Sequence, residues 1–152
     1  MTLSEVPASA VPTILLVEPD VLIRLSLADY LRGCGFQVIE AAHAEEGKMI
    51  LASDAKVDVV LADAQMPAPA MGFAFAQWVR RRRPSVTLIL AASILNKAKA
   101  AAELCDSTPI RPKPCEHGHL ADRIQSMLAR SARKSRAPRA LFGQRVAGLR
   151  KV

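Results

Sequence analysis

Apolar positions along this chain gather into two kinds of block that alternate. Short apolar runs stand at 14–17 (Ile-Leu-Leu-Val), at 57–62, interrupted only by Asp58, and at 86–91. Near-continuous runs of that length are the mark of strands buried on both faces. Two weaker strand candidates are 36–39 (Phe-Gln-Val-Ile) and the short, edge-like 108–111 (Thr-Pro-Ile-Arg). Between the strands the period lengthens to that of a helix. Val21, Leu25, Ala28 and Leu31 define one stripe, stopped by Gly33 and Gly35. A short helix over 44–52 carries Gly47 at a cost of about 1 kcal/mol relative to alanine. A loop with Pro67, Pro69 and Gly72 leads to a helix over about 73–82 that Pro84 closes, and residues 94–104 form an alanine-containing helix. Leu120, Ile124 and Leu128, at i, i+4 and i+8, mark the last helix. Five strand–helix units with no internal repeat predict an α/β domain, a doubly wound five-stranded parallel sheet covered on both faces. The domain is expected over 13–129, after a polar leader at 1–12 read as disordered and before a tail at 130–152.

In sheets of this kind ligands gather beyond the carboxyl ends of the strands, near the point where strand order reverses. Glu18, Asp63 and Lys113 each follow an apolar strand run. They are therefore predicted to meet at one rim. Two carboxylates beside an ammonium suit a hard divalent cation together with a phosphoryl group. A carboxylate can also act as the nucleophile and form an acyl phosphate.

Composition sharpens this picture in three places. The formal charge is +7, yet the eight basic residues from Arg130 onward have no acid among them, leaving 13 basic against 14 acidic residues before them. The body is nearly neutral and the tail carries the charge. No apolar run approaches the ~18 residues that cross a bilayer. Ala8-Ser9-Ala10 mimics a signal-cleavage site but lacks a basic stretch and a preceding apolar run, so a cytoplasmic protein is expected. Cys34, Cys105 and Cys115 are odd in number, without C-x-x-C spacing, and are expected as reduced thiols.

Three stretches together resemble the receiver domains of bacterial two-component systems. They are Ile14-Leu15-Leu16-Val17-Glu18-Pro19-Asp20, Val60-Leu61-Ala62-Asp63-Ala64-Gln65-Met66-Pro67 with Gly72 beyond, and Lys113-Pro114. The resemblance covers roughly 13–129 and implies a flavodoxin-like fold with strand order 2-1-3-4-5. It implies that Asp63 accepts a phosphoryl group from a histidine kinase or phosphotransfer protein. Lys113 would contact the phosphate across a cis Lys113-Pro114 bond. Glu18, Asp20, Asp63 and the backbone carbonyl of Gln65 would hold Mg²⁺. Output would pass by contact to a downstream protein, and a homodimer is compatible with the family.

The departures from the family pattern are specific. Pro19 stands where a second acid is usual, so Asp20 or water must replace that ligand. The switch hydroxyl at the end of the fourth strand falls on Ala91, and its aromatic partner on Ile110. Three function classes stay open from sequence: a phosphoacceptor in a phosphorelay, a degenerate receiver acting as a phosphorylation-independent interaction module, and a nucleic-acid binder driven by the basic tail. None is a metabolic enzyme, since no Gly-rich phosphate loop, serine elbow or histidine-based triad is present.

Plainer readings stand beside these. Asp20 makes an equally good helix N-cap. Arg80-Arg81-Arg82-Arg83 is read as a solvated helix end, where cations are favoured. Cys115, His117 and His119 match no zinc spacing, and Trp78 is read as packing. Residues 131–140 are read as a basic linker. Leu141, Phe142, Arg145, Val146 and Leu149 then share one helical face that would suit a partner, a membrane surface or nucleic acid without sequence preference, the plainer reading being a floppy tail with no role. No helix-turn-helix fits there, so sequence-specific nucleic-acid binding is not expected.

Overall fold

A computed structural model describes residues 11–150, and side chains from residue 11 to 134. The elements run β1 (Thr13–Val17), α1 (Val21–Gly33), β2 (Gln37–Ala41), α2 (Ala44–Ala52), β3 (Val59–Asp63), α3 (Pro69–Arg82), β4 (Thr87–Ala91), α4 (Ile94–Ser107) and α5 (His117–Arg150). The strands form one parallel sheet in the order β2-β1-β3-β4. Every residue of β1, one of the two inner strands, is buried, because helices cover both faces. The expected α/β class, the parallel sheet and the order of the first four strands all hold. Leader residues 1–10 lie outside the described residues.

The core lies in two layers. On one face Leu15, Val17, Val60 and Ala62 pack with Leu51 of α2 and Phe75 and Val79 of α3. On the other, Ile14, Leu16 and Leu61 meet Leu27 and Leu31 of α1, Ala98 and Ala101 of α4, and Leu120 and Ile124 of α5. Alternation along each strand sends successive side chains to opposite layers. The α1 stripe is rotated from expectation. Ile23, Leu27, Ala28, Tyr30 and Leu31 are buried, whereas Val21 and Leu25 are about half exposed. The stripe begun at Val21 and Leu25 followed the edge of the apolar face rather than its centre.

The predicted fifth strand does not form. Residues 108–111 lie against the carboxyl end of α1: the Arg111 N–H donates to the Cys34 carbonyl (3.1 Å) and Ile110 closes over Gly35. A Cβ on Gly35 would stand 2.7 Å from an Ile110 methyl, and its φ of +102° is one glycine adopts freely. The Tyr30 hydroxyl donates to the Cys115 carbonyl at 2.6 Å, fixing the segment further along. The cause is the seat of α4. This helix lies on the same face as α1 and α5, so its end delivers the chain to α1 and not to the edge of β4.

The same docking brings two cysteines together. Cys34, at the α1 C-cap, and Cys105 of α4 are joined in a disulfide, with Cα atoms 5.8 Å apart across a sequence separation of 71. The expectation of three reduced thiols is thereby corrected: only Cys115 is free. Spacing in the chain could not show a pair that packing creates. Finally, α5 continues through 131–140, which the sequence suggested as a linker, and the apolar face proposed beyond Pro138 lies outside the described side chains.

Candidate functional site

Register fixes the site before any side chain does. Val17 pairs with Ala62, and Asp63 pairs with Ala91. The carboxyl ends of β1, β3 and β4 are thus level, and Glu18 and Asp63 leave the sheet at the same rim. Both are buried, at 3% and 9% exposure.

Between them sits an ammonium that sequence analysis did not single out. Lys97 Nζ lies 2.5 Å from Glu18 Oε1 and 2.9 Å from Asp63 Oδ1. Its helix starts at the rim because Ser93 caps α4, its hydroxyl accepting from the Asn96 N–H at 3.0 Å. Side chains on a helix lean toward its N-terminus, so a long residue one turn into α4 reaches back to the end of β3. The remaining carboxylate oxygens are also engaged. Glu18 Oε2 accepts from the Asp20 N–H (3.0 Å), and Asp63 Oδ2 from the Met66 N–H (2.9 Å). Burial works against the charge on Lys97, but its hydrogen bonds and attraction to Glu18 and Asp63 outweigh that and hold its pKa above the ordinary lysine value.

A signal for Lys97 does exist in the sequence. Ile94, Ala98, Ala101 and Cys105 make the apolar stripe of α4, and Lys97 falls within it at i+3 from Ile94. A lone cation on a buried stripe requires a buried partner.

The other predicted site residues are distributed as follows. Asp20 is exposed and acts as the N-cap of α1, its Oδ1 accepting from the N–H groups of Leu22 (2.9 Å) and Ile23 (3.0 Å). Gln65 is exposed in the turn after β3. In that turn Met66 has φ 45° and the Met66-Pro67 bond is cis, whereas no cis bond occurs at Lys113-Pro114. Behind it α3 passes so close that a Cβ on Gly72 would stand 1.7 Å from the Ala64 carbonyl oxygen, so no side chain fits there. Ala91 closes β4 at the rim, while Ile110 packs over Gly35 near the other end of α1. The two expected switch positions do not face each other.

Lys113 is not at the rim. Its ammonium bridges Asp106 Oδ1 (3.0 Å) and Glu116 Oε2 (3.3 Å) beyond the end of α4. Lys97 lies ten residues before the end of α4, a rise of about 15 Å. The predicted convergence of three groups therefore holds for Glu18 and Asp63, and a different lysine completes it.

The fit of a divalent cation can be judged from the donors. Among the described residues no group of three or more His, Cys, Asp or Glu side chains is arranged to hold a metal. At the rim two carboxylates remain, and an ammonium occupies the space between them, with Asp20 committed to its helix. This arrangement does not fit a resident Mg²⁺ held by Glu18, Asp20, Asp63 and Gln65.

Residues 14–125 match the family model of the response regulator receiver domain. The fold is similar to three solved structures of low sequence identity. A response regulator receiver protein from Sinorhizobium medicae WSM419 is 20% identical over 66% of this chain and 98% of its own, with a TM-score of 0.55. A response regulator receiver protein from Pseudomonas putida is 21% identical over 77% and 98% (TM-score 0.51), and a response regulator from Thermotoga maritima 19% identical over 78% and 98% (TM-score 0.51). A comparison with curated proteins finds no match. No described helix is long and apolar enough to cross a membrane. With a family model covering most of its length and the acidic rim in place, this chain belongs to the response regulator receiver domain family and so to two-component signalling.

Proposed function

We propose that this receiver signals by protein contact from an acid pocket that neutralises itself, without needing phosphorylation to reach its working shape. The observation that carries this reading is Lys97, whose ammonium bridges Glu18 and Asp63. A buried carboxylate pair must be neutralised by something, and here the chain supplies the cation itself. The nucleophilic oxygens of Asp63 are both engaged, one by Lys97 and one by the Met66 N–H. Pro19 and Ala91 support the reading, since neither offers a group to a metal or a phosphoryl oxygen. Partners would be a histidine kinase or phosphotransfer protein on one side and a downstream protein on the other, met through the surface.

A second reading has its own support. Asp63 sits at the end of β3 beside the strand reversal, where this architecture places its ligands. Lys97 is flexible enough to swing aside and would then leave a phosphoacceptor. One experiment separates the two. The full chain is incubated with a small phosphodonor and Mg²⁺ and its mass followed. The proposed function predicts no phosphoryl adduct; an adduct that Asp63→Asn abolishes would establish the second reading instead.

A further inference from the structure

We propose that Cys34 and Cys105 form a redox-responsive staple that fixes α4 in its seat, and that reducing it frees Lys97 from Glu18 and Asp63. Lys97 and the bridge lie on the same helix, whichever partner the receiver addresses.

The weakness of the apolar hold on α4 is the first ground. Its buried residues are Lys97, Ala98, Ala100, Ala101, Ala102 and Cys105, so apart from the two residues in question it buries only alanines, with Ile94 and Leu104 packed against the core but partly buried. By contrast α1 buries Ile23, Leu27, Tyr30 and Leu31. Alanine removes little apolar surface from water, and a helix seated on alanines is held lightly by it. Packing on Leu120, Ala121 and Ile124 of α5 adds to the seat, but α5 shares no covalent tie with the sheet side.

The second ground is leverage. Lys97 and Cys105 are eight residues apart on one continuous helix, a distance of about 12 Å along its axis. The bridge anchors one end of that rod to α1, and the ammonium seats the other in the acid pocket. Rigid elements transmit displacement between their ends.

The third ground is access. Cys34 is fully buried and Cys105 is 3% exposed. A thiolate must approach a sulfur to exchange, so reduction proceeds through openings of α4, and once reduced the helix reopens more often. The chemistry balances with a dithiol as reductant. One of its thiolates attacks a bridge sulfur to give a mixed disulfide. Its second thiol then displaces that sulfur, leaving Cys34 and Cys105 as thiols and the reductant as a cyclic disulfide. Oxidised dithiol runs the exchange backward.

The test uses the full chain, oxidised and then reduced by dithiothreitol, with no phosphodonor present. Alkylation read by mass should modify Cys115 alone before reduction and all three cysteines after it. Brief labelling with an amine-reactive reagent should modify Lys97 slowly in the oxidised protein, and on the order of tenfold faster after reduction as the helix opens. Lys48, on α2 and paired with Glu45, serves as the internal reference and should not change. A Cys34→Ala/Cys105→Ala variant, checked for fold by circular dichroism, should label Lys97 at the fast rate with or without reductant. Alkylation of all three cysteines without reductant would show that the staple does not exist. Equal labelling of Lys97 in both redox states would show that the staple does not govern the pocket.

Discussion

The two ends of α4 carry the same arrangement in opposite surroundings. At the start of the helix Lys97 bridges Glu18 and Asp63, with side chains 8%, 4% and 11% exposed. Beyond its end Lys113 bridges Asp106 and Glu116, whose side chains are 60% and 69% exposed. Each is a lysine shared by two carboxylates at similar distances. The difference is water. At the exposed end the charges are solvated and screened whether paired or not, so the pairing contributes little. At the buried end neither carboxylate can be left alone, and the ammonium is a structural requirement. Sequence resemblance pointed to the part-buried lysine with exposed partners; burial of the carboxylates decides for the other.

Lys97→Met strands two buried carboxylates and should lower unfolding free energy by about 3–5 kcal/mol in urea titration. If Lys113→Met costs as much, the contrast between the two ends is wrong. The pH dependence sharpens the point. The folded pKa of Lys97 is raised above the 10.5 of a free lysine, so its stabilisation is complete below that value and is lost as pH climbs through the folded pKa. The gap in stability between wild type and Lys97→Met should therefore be flat from neutral pH to ~10 and shrink above it.

Next in size is the covalent tie. Cys105→Ala opens a loop with a sequence separation of 71, and the chain-entropy account gives a loss of about 4 kcal/mol. Reduced wild-type protein should show a similar fall in thermal midpoint.

Asp20 tests a smaller matter at the rim. As a helix cap its replacement by alanine should cost about 1 kcal/mol, while asparagine, an equally good cap, should cost almost nothing. A large loss in Asp20→Asn would mean that the carboxylate charge is needed, as for a metal ligand. The smallest effect is expected for Lys113→Met, which should leave the urea midpoint unmoved at moderate salt.

Much of this protein is legible along the chain. The unbroken apolar runs at β1 and β3 set parallel strands buried on both faces, and the residues just beyond them, Glu18 and Asp63, had to emerge at one rim. Gly33 and Gly35 marked the end of α1, and Asp20 was readable as its cap. These are local properties, or follow from the connectivity of parallel strands, so sequence periodicity contains them. Which face α4 would choose was not local. A helix whose buried apolar residues are mostly alanines can dock in more than one place, and the contacts that decide, with α1, α5 and Cys34, come from residues far away in the chain. That choice removed the fifth strand, took Lys113 and Ile110 away from the rim, paired two cysteines and seated Lys97 between the acids. Sequence determined where the negative charge would stand; tertiary packing alone decided which cation would meet it, because burial makes a charge demand a partner without naming one.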